Sequence, residues 1–279
     1  MSILGTVYLV GAGPGAADLI TIRGAKLLAK ADIVLHDALV DEEMLALCPN
    51  AIKVPVGKRC GKLSSAQEFI NKRLVDAAHK HQIIVRLKGG DPMLFGRADE
   101  EITALSNAGI SFEIVPGITA ALAGAASLGK SLTLRGVSRS VAFVTLAQAS
   151  ESAETDQKQP IPNPSSDTLV YYMGRKDAAK IAKQLIDSSP NHKGDTPVHI
   201  LEAVSTTKER HWESNLIALA EGKADHWFDP SSPALILIGQ ALETIKAAQT
   251  IDTDLQRLGT KVDDGLQNSK ILSNGRRSA

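Results

Sequence analysis

The sequence predicts an α/β protein built from two α/β domains, and three observations lead to this fold class. Short runs rich in β-branched residues alternate with segments of helical period through most of the chain. Glycine-rich turns follow two of the predicted strands. The length of 279 residues is enough for two modest domains. This alternation is typical of helices layered on largely parallel sheets.

Eight runs of four to six residues, bounded by turn residues, predict the strands. Between them, apolar residues recur with the helical period and predict helices. Ser65 and Glu68 fit a capping box that starts one of these helices at Ala66. The predicted strands are Thr6–Val10, Asp32–His36, Ile83–Leu87, Phe112–Val115, Ser140–Thr145, Thr168–Tyr172, Pro197–Leu201 and Ala234–Ile238. The predicted helices include Arg23–Lys30, Ala66–His79, Asp99–Ala108, Thr119–Leu128, Asp177–Ile186 and Glu213–Ala220.

A domain boundary is predicted near Pro116 and Gly117, where a strand ends in a turn before an alanine-rich helix. This divides the chain into an N-terminal domain over residues 1–116 and a C-terminal domain over residues 117–245. Residues 246–279 are polar with little periodicity and are expected to form a partly disordered tail. The stretch Gln148–Asp167 is polar and carries three prolines, which predicts an exposed loop that packs against nothing essential.

Charge and composition exclude several classes of protein. Thirty-one basic residues balance 31 acidic ones, and this lack of a basic excess argues against a nucleic-acid partner. No apolar run is long enough to cross a bilayer, and the first residues lack the basic region of a signal peptide. Cys48 and Cys60 form no CxxC pair, and the seven histidines show no zinc-ligand spacing. A soluble cytoplasmic protein without a metal or a membrane partner is expected.

The first glycine-rich turn, Gly11–Ala16, follows the first predicted strand. Its spacing fits the dinucleotide fingerprint G-x-G-x-x-A, and Asp37 stands at the end of the next strand. A plain strand-to-helix turn explains the glycines equally well. Pro14 weighs against a dinucleotide site, because it removes a backbone N–H from the turn that would bind the pyrophosphate.

The second glycine-rich turn is more informative. Gly89 and Gly90 would let a ligand lie against the backbone, with the Asp91 carboxylate beside it. Ligands of open α/β sheets bind beyond the carboxyl ends of the strands, where this turn lies. Arg97 and Glu100 follow as i,i+3 neighbours on one helix face. By themselves these two residues favour a surface ion pair over an arginine held beside a general base.

Seven motifs carry a family resemblance when they are taken together. In order and spacing they resemble the uroporphyrinogen-III C-methyltransferases of the tetrapyrrole methylase family, over roughly residues 5–240. The motifs are VYLVGAGPG (7–15), VGKRCGK (56–62), VRLKGGDPMLFGR (85–97), FEIVPGITAA (112–121), LTLRG (132–136), YYMG (171–174) and SPALILIG (232–239).

The resemblance implies the tetrapyrrole methylase fold, with S-adenosylmethionine in a cleft between two α/β domains of a homodimer. It implies a single-function enzyme that methylates C2 and C7 of uroporphyrinogen III. The products are precorrin-2, formed through precorrin-1, and S-adenosylhomocysteine, and no metal is required. Cofactor contacts carry over to Pro14, Gly89, Gly90, Asp91, Leu94, Thr119, Ala120, Met173, Val204 and Ala234.

The resemblance also assigns catalytic and substrate-binding residues. Arg97 and Glu100 match the family's FGRxxE pattern, which favours Glu100 as a base held by Arg97. Asp37 and Lys58 match a proton acceptor and a proton donor. The substrate carries eight carboxylates, so a neutral protein must concentrate cations at one place. The expected substrate-binding residues are Arg59, Arg97, Arg135 and Met173.

The sequence departs from the family pattern at several positions. Ala38 stands where the family often has arginine, Leu146 and Ala147 replace the last two residues of TGH, and Leu134 replaces a histidine. Val204 stands where a glycine lies near the cofactor, so its contact would have to be through the backbone. The alternatives are a later precorrin methyltransferase, diphthine synthase or an rRNA methyltransferase of the same fold. A nicotinamide-dependent oxidoreductase or a non-catalytic tetrapyrrole carrier fits fewer of the motifs.

Overall fold

The fold is described from a computed structural model, which covers residues 4–37, 40–56, 63–146 and 161–243, without the side chains of residues 63–66. The predictions for Lys58, Arg59, Ala38 and Ala147, and for the tail from residue 246, lie outside these residues. The described chain up to Leu242 belongs to one compact unit. None of its helices is both long and apolar enough to cross a membrane.

The first half of the chain forms a five-stranded sheet in which all pairings are parallel. The strand order is β3-β2-β4-β1-β5. The strands are β1 Thr6–Gly11, β2 Ile33–His36, β3 Ile52–Pro55, β4 Ile83–Lys88 and β5 Phe112–Val115. The helices are α1 Ile22–Leu28, α2 Glu42–Ala46, α3 Leu63–Ala78 and α4 Ala98–Asn107.

Apolar side chains cover both faces of this sheet. Val7 and Leu9 of β1 lie in one buried cluster with Leu74 of α3. Val10 lies in the other cluster, with Leu28 of α1. A strand buried on both faces is typical of a parallel sheet between two helix layers. The parallel arrangement also brings the carboxyl ends of all five strands to one edge of the sheet.

The second half forms another five-stranded sheet, with strand order β6-β7-β10-β8-β9. Only β6 and β7 are parallel, and the other three pairings are antiparallel. The prediction of largely parallel sheets is therefore wrong for this half. The strands are β6 Val141–Thr145, β7 Thr168–Tyr172, β8 Pro197–Glu202, β9 Arg210–Asn215 and β10 Ala234–Ile238. The helices are α5 Ala120–Ser127, α6 Ala178–Ser188 and α7 Leu216–Ala220.

All eight predicted strands are present, with bounds that differ by at most one residue at either end. The sequence missed β3 and β9, which lie at one edge of each sheet and are largely exposed. The helix predicted from Glu213 begins at Leu216, because residues 213–215 belong to β9. The Asn215 side chain caps this helix by accepting a hydrogen bond from the Ala218 N–H. Helix α3 begins at Leu63, so the prediction of Ser65 as its N-cap is wrong.

Part of the predicted loop Gln148–Asp167 is packed against the second sheet. The carbonyl of Ile161 accepts a hydrogen bond of 2.8 Å from the Gln184 side chain, and the Tyr171 hydroxyl lies 3.4 Å from the carbonyl of Pro162. The Asp167 carboxylate accepts hydrogen bonds from the backbone N–H groups of Arg139 and Ser140. The prediction that this stretch packs against nothing essential is therefore wrong for residues 161–167, and residues 148–160 lie outside the described chain.

We expect Asp167→Asn to lower the melting temperature at pH 7. The Arg139 N–H and the Ser140 hydroxyl hold the pKa of Asp167 below its ordinary value of 3.8. Because the folded-state pKa is depressed, the stabilisation is present above pH 3.8 and is lost as the pH falls through the lower folded value. Melting curves of both proteins from pH 7 downward should therefore converge only in strong acid. Asp187→Asn, which removes an exposed carboxylate, is the control. A melting difference that vanished well above pH 3.8 would contradict this role.

Candidate active site

Two glycine loops meet at the carboxyl edge of the first sheet. The loop after β1 and the loop after β4 pair through a short antiparallel bridge between Gly13 and Gly90. The Gly90 N–H donates to the Gly13 carbonyl at 2.7 Å, and the Gly13 N–H donates back at 3.2 Å. From the sequence, the two loops are alternative candidate ligand sites. The structure shows that they form one hydrogen-bonded unit.

Several glycines in this unit are required by contacts between the loops. A Cβ atom added to Gly117, in the loop after β5, would lie 2.2 Å from the Gly90 carbonyl oxygen. One added to Gly11 would lie 2.6 Å from the Cα atom of Gly117. Because no side chain fits at these distances, Gly11 and Gly117 let three loops approach one another. The close contacts between the loops therefore explain these two glycines without a bound ligand.

Gly89 and Gly90 are different. A Cβ atom added at either position would meet no atom of the described residues within 4 Å, apart from those of its chain neighbours. Gly90 also has a φ of +69°, a backbone conformation that other residues rarely adopt. The space beside these two glycines is open, so a molecule can lie against the backbone there without displacing protein atoms.

Asp91 has a structural function that the sequence did not predict. One carboxylate oxygen accepts from the Gly117 N–H at 2.9 Å and the other from the Met93 N–H at 2.8 Å. The side chain therefore ties the loop after β4 to the loop after β5. A carboxylate oxygen has two lone pairs, so these bonds leave acceptor capacity on both atoms.

The second sheet contributes loops from one of its edges. Tyr172, at the end of β7, pairs with Leu235, and Glu202, at the end of β8, pairs with Ala234. The residues that follow these strand ends, Met173 and 203–205, therefore lie beside the start of β10. Among the described non-glycine residues, positive φ values occur only in this set of loops and in the loop after β4, at Phe95, Arg97, Met173, Ala203 and Ser205. Such backbone conformations are costly and concentrate at functional sites.

Loops from the two sheets touch at two places. The Phe95 and Tyr172 rings meet edge to face, with their centroids 5.2 Å apart. The Tyr172 hydroxyl lies 2.5 Å from the Thr119 hydroxyl, and it also accepts a bond from the N–H of Ala121 in α5. At the other place, the Ala16 N–H donates to the Ser205 hydroxyl at 3.0 Å. These contacts define the candidate active site as the region where the loops meet.

The predicted cofactor contacts lie in these loops, at the strand ends beside them, or at the first residue of α5. Met173 is 53% exposed, whereas Thr119 is buried. Pro14, Leu94, Ala120 and Ala234 are partly buried. The Val204 side chain is buried in the apolar cluster that contains Leu201 and Leu235. Any contact of Val204 with a ligand would therefore have to be through its backbone.

Arg97 and Glu100 form the ion pair that their spacing predicts. The Arg97 guanidinium donates to both carboxylate oxygens of Glu100, at 2.6 and 2.8 Å. The hydrogen bond that Arg97 donates to Glu100 is the main reason that the pKa of Arg97 is raised. Arg97 takes the left-handed conformation at the N-cap of α4, and both side chains are about 40% exposed. The pair is therefore joined by two hydrogen bonds and remains accessible from solvent.

A buried network of charged residues lies beneath the glycine loops, and sequence reasoning missed most of it. Arg86 and Lys88 of β4 each donate at 3.0 Å to the same oxygen of Glu101 in α4. Arg86 also donates to the Asp37 carboxylate at 2.6 Å. Burial lowers the pKa of Lys88, whereas the carboxylates of Glu101 and Asp37 outweigh burial and raise the pKa of Arg86. Two basic residues in an otherwise apolar strand, IIVRLK, were the available signal.

Arg135 belongs to a different loop, between α5 and β6. It is exposed at the tip of a turn that is closed by two hydrogen bonds between the backbones of Leu134 and Ser138. No hydrogen bond or ion pair of the described residues connects Arg135 to the glycine loops. Lys58 and Arg59 lie outside the described chain. Of the other predicted charged residues, the structure pairs Arg97 with Glu100 and pairs Asp37 with Arg86.

Among the described residues, His199, His211 and Glu213 have potential metal-ligand atoms within 4.8 Å of one another. His199 Nε2 lies 2.8 Å from the Leu242 carbonyl, so this nitrogen carries the proton and Nδ1 accepts from His211 Nε2 at 2.9 Å. The ring centroids are 5.1 Å apart, so the two nitrogens lie between the rings. Because His211 Nε2 carries the proton of this bond and His199 Nδ1 accepts it, neither nitrogen has a free lone pair for an ion in this arrangement.

Comparison with known proteins agrees with this geometry. The family model of the Tetrapyrrole (Corrin/Porphyrin) Methylases matches residues 6–220. The uroporphyrinogen-III C-methyltransferase of Pseudomonas aeruginosa is 41% identical over 245 residues, which cover 86% of this chain and 96% of that protein. The siroheme synthase of Chromobacterium violaceum is 42% identical over 240 residues, but the chain spans about half the length of that relative.

A solved structure shows the same likeness. The uroporphyrin-III C-methyltransferase of Thermus thermophilus, complexed with S-adenyl homocysteine, superposes with a TM-score of 0.71 at 37% identity. The match covers 86% of this chain and 94% of that structure. The predicted fold class and the predicted resemblance are confirmed, and the chain belongs to the tetrapyrrole (corrin/porphyrin) methylase family.

Proposed function

We propose that the protein is an S-adenosylmethionine-dependent uroporphyrinogen-III C-methyltransferase. It would methylate C2 and then C7 to give precorrin-2 through precorrin-1, for sirohaem, cobalamin or haem d1 synthesis. The observation that carries the proposal is the open space beside Gly89 and Gly90, at the carboxyl edge of the first sheet. Relatives of similar length that carry this name support the reaction and the substrate.

The residues around this space suit S-adenosylmethionine. Gly89 and Gly90 leave the backbone accessible, and a side chain at either position would fill the space that the ligand needs. Met173 and the backbone of Val204 would contact the ligand from the second sheet. Thr119, which Tyr172 holds at the start of α5, would contact it from between the sheets. Pro14, Asp91, Leu94, Ala120 and Ala234 complete the proposed contacts.

The cofactor supplies an electrophilic methyl group on a sulfonium. A pyrrole carbon would attack this methyl carbon as the bond to sulfur breaks, and S-adenosylhomocysteine would leave as a neutral thioether. The protein's contribution is alignment of the two reactants and removal of the proton that the tetrapyrrole then loses. We assign Glu100, which Arg97 orients, as the base that accepts this proton. Asp37 and Lys58 are assigned as a second proton acceptor and as a proton donor.

Cations around the site would bind the carboxylates of the tetrapyrrole. Arg97 presents a planar guanidinium that is about 40% exposed, which suits bidentate pairing with a carboxylate. Arg59 and Arg135 are proposed as further binding residues, with Met173 contacting the macrocycle. The protein's neutral net charge means that this local basic group, not the whole surface, attracts the anion.

The remaining assignments are also proposals. We infer a homodimer in the cytoplasm, with two domains divided near Pro116 and Gly117 and with no metal, nucleic-acid or membrane partner. The boundary is supported by its position between β5 and β6, which belong to different sheets. The reducing compartment is supported by Cys48, which is a free thiol.

The test is to incubate the protein with labelled S-adenosylmethionine and enzymatically made uroporphyrinogen III. The expected products are precorrin-2 and two equivalents of S-adenosylhomocysteine for each tetrapyrrole. If a later precorrin or rRNA is labelled and uroporphyrinogen III is not, the protein catalyses another methyltransferase reaction of the same fold. Tight NADH binding without methyl transfer would support the oxidoreductase alternative.

A further inference from the structure

The buried charges beneath the glycine loops are expensive for the fold. The side chains of Arg86 and Lys88 are 3% exposed and that of Glu101 is 0% exposed. Moving a charge out of water is costly, and apolar residues of similar volume are often at least as stabilising. Oε2 of Glu101 is buried without a hydrogen-bond partner among the described residues. Such an atom carries a further desolvation cost. Stability alone therefore does not explain these residues.

All three nitrogens of the Arg86 guanidinium donate to a neighbour. Nε donates to Glu101, Nη2 to Asp37, and Nη1 to the carbonyls of Leu87 at 3.1 Å and Leu35 at 3.4 Å. A guanidinium fixed by bonds on several sides can hold a carboxylate in one orientation. Arg86 thus connects a buried anion, Glu101, with a carboxylate that is 35% exposed, Asp37.

Asp37 lies close to the candidate active site. It directly follows β2, and its N–H donates to the carbonyl of Leu87 in β4 at 3.3 Å. Two residues further along β4, the chain enters the loop of Gly89 and Gly90. The Asp37 carboxylate is therefore at the carboxyl edge of the parallel sheet, one strand away from the open space, where ligands of such sheets bind.

Glu101 connects this carboxylate with the other side of the site. It stands next to Glu100 in the first turn of α4, but its side chain lies inside the network, whereas that of Glu100 is paired with Arg97 near the surface. The network consequently ties the helix that carries the Arg97–Glu100 pair to the strand end that carries Asp37. Gln67 of α3 adds a hydrogen bond of 3.4 Å to the same oxygen of Glu101.

We propose that Arg86 and Glu101 are positioning residues for methyl transfer, with Glu101 fixing Arg86 so that Arg86 presents the Asp37 carboxylate to the tetrapyrrole. Lys88 binds the same oxygen of Glu101 and balances the buried charge. The assignment rests on the proposed function, because its readout is methyl transfer. Neither Arg86 nor Glu101 is required to touch the substrate.

The test is a double-mutant cycle between Glu101→Gln and Asp37→Asn, with kcat and KM for uroporphyrinogen III measured for each protein. We expect Glu101→Gln to lower kcat about tenfold, within the roughly hundredfold loss that misplaced reacting groups can cause. Affinity for S-adenosylhomocysteine, measured by calorimetry, should stay within about twofold of wild type. Because Glu101 acts through Asp37, adding Glu101→Gln to Asp37→Asn should cause almost no further loss.

A purely structural function of the network would give a different pattern. The losses in kcat caused by Glu101→Gln and Asp37→Asn would multiply in the double variant, or the affinity for S-adenosylhomocysteine would fall together with kcat. Either result would overturn the proposal. A wild-type kcat for Glu101→Gln would also overturn it. Wild-type protein and Lys72→Ala, which removes an exposed ion pair on α3, serve as active references. If wild type itself makes no methylated product, the proposed function fails, and not the positioning assignment alone.

A second variant covers the case in which Glu101→Gln does not fold. Lys88→Met combined with Glu101→Gln removes one buried charge of each sign and leaves Arg86 paired with Asp37. Replacing a buried ion pair by uncharged residues of similar size is often tolerated. This double variant should show the same tenfold loss in kcat and the same lack of additivity with Asp37→Asn. If neither network variant folds, the network is required by the fold and the proposal is overturned.

Discussion

We expect Gly90→Val to abolish binding of S-adenosylhomocysteine to a folded protein. A Cβ atom at this position would project into open space, where we place the ligand. A branched side chain would occupy that space, and we expect the Kd to rise more than about 100-fold, which corresponds to about 2.7 kcal/mol. Isothermal titration of S-adenosylhomocysteine against wild type and variant measures the effect, with circular dichroism to confirm folding.

Backbone strain must be separated from exclusion of the ligand. Gly90 has a φ of +69°, so valine there is strained whatever binds. Gly109, between α4 and β5, is a matched control because its φ is +67° and an added Cβ atom would also meet nothing within 4 Å. Gly109→Val should lower the melting temperature by a similar amount and still bind the ligand. Gly89→Val tests exclusion without a positive φ, and it should also prevent binding.

If folded Gly89→Val and Gly90→Val bind S-adenosylhomocysteine with wild-type affinity, this loop is not part of the cofactor site.

Substitutions in the first glycine loop are less informative, because that loop contacts the second one. Gly13 is hydrogen-bonded to Gly90, and Gly11 packs against Gly117, so substitutions in the first loop would disturb the second. Loss of cofactor binding in a Gly11 variant would therefore not distinguish the methyltransferase from the oxidoreductase alternative. The Gly89 and Gly90 variants are the informative ones.

The second large effect is expected for Glu100→Gln, which should retain cofactor binding and lose nearly all turnover. Arg97 donates to both carboxylate oxygens at 2.6 and 2.8 Å, so the side chain is held in place. The amide preserves the shape of the side chain but cannot accept the proton that the tetrapyrrole loses. Removal of a general base typically costs about 10²–10⁴-fold in rate. The measurement is kcat with uroporphyrinogen III, alongside calorimetry with S-adenosylhomocysteine.

Asp99→Asn is the control for this prediction. Asp99 is exposed in the same first turn of α4, so the substitution changes the net charge by the same amount without touching the Arg97–Glu100 pair. Its turnover should stay near the wild-type value. Near-normal turnover for Glu100→Gln with intact cofactor binding would exclude Glu100 as the base. The Arg97–Glu100 pair would then be the surface ion pair that the two residues alone suggested.

Local sequence features predicted many of the elements that form the site. Periodicity located β1, β4, β7 and β8, because their apolar runs are buried and bounded by turn residues. The same reasoning missed β9, whose sequence RHWESN has little apolar pattern, because an edge strand exposed to solvent needs none. It also extended α7 back to Glu213. A strand paired on one side is recognised through its partner, here β8, and not through its own residues.

The sequence by itself determined the glycine loop at 89–91, the spacing that pairs Arg97 with Glu100, and the motifs that carry the family resemblance. These depend on neighbours in the chain, through backbone freedom, helical period and turn chemistry. Only the tertiary structure decided the strand directions of the second sheet, the contact of Phe95 with Tyr172, and the function of Gly117 in loop packing. Arg86 and Asp37 are 49 residues apart in the chain, and they meet because β2 and β4 are adjacent in the sheet. Contacts of this kind depend on which strands pair, and strand pairing is decided by burial over the whole sheet.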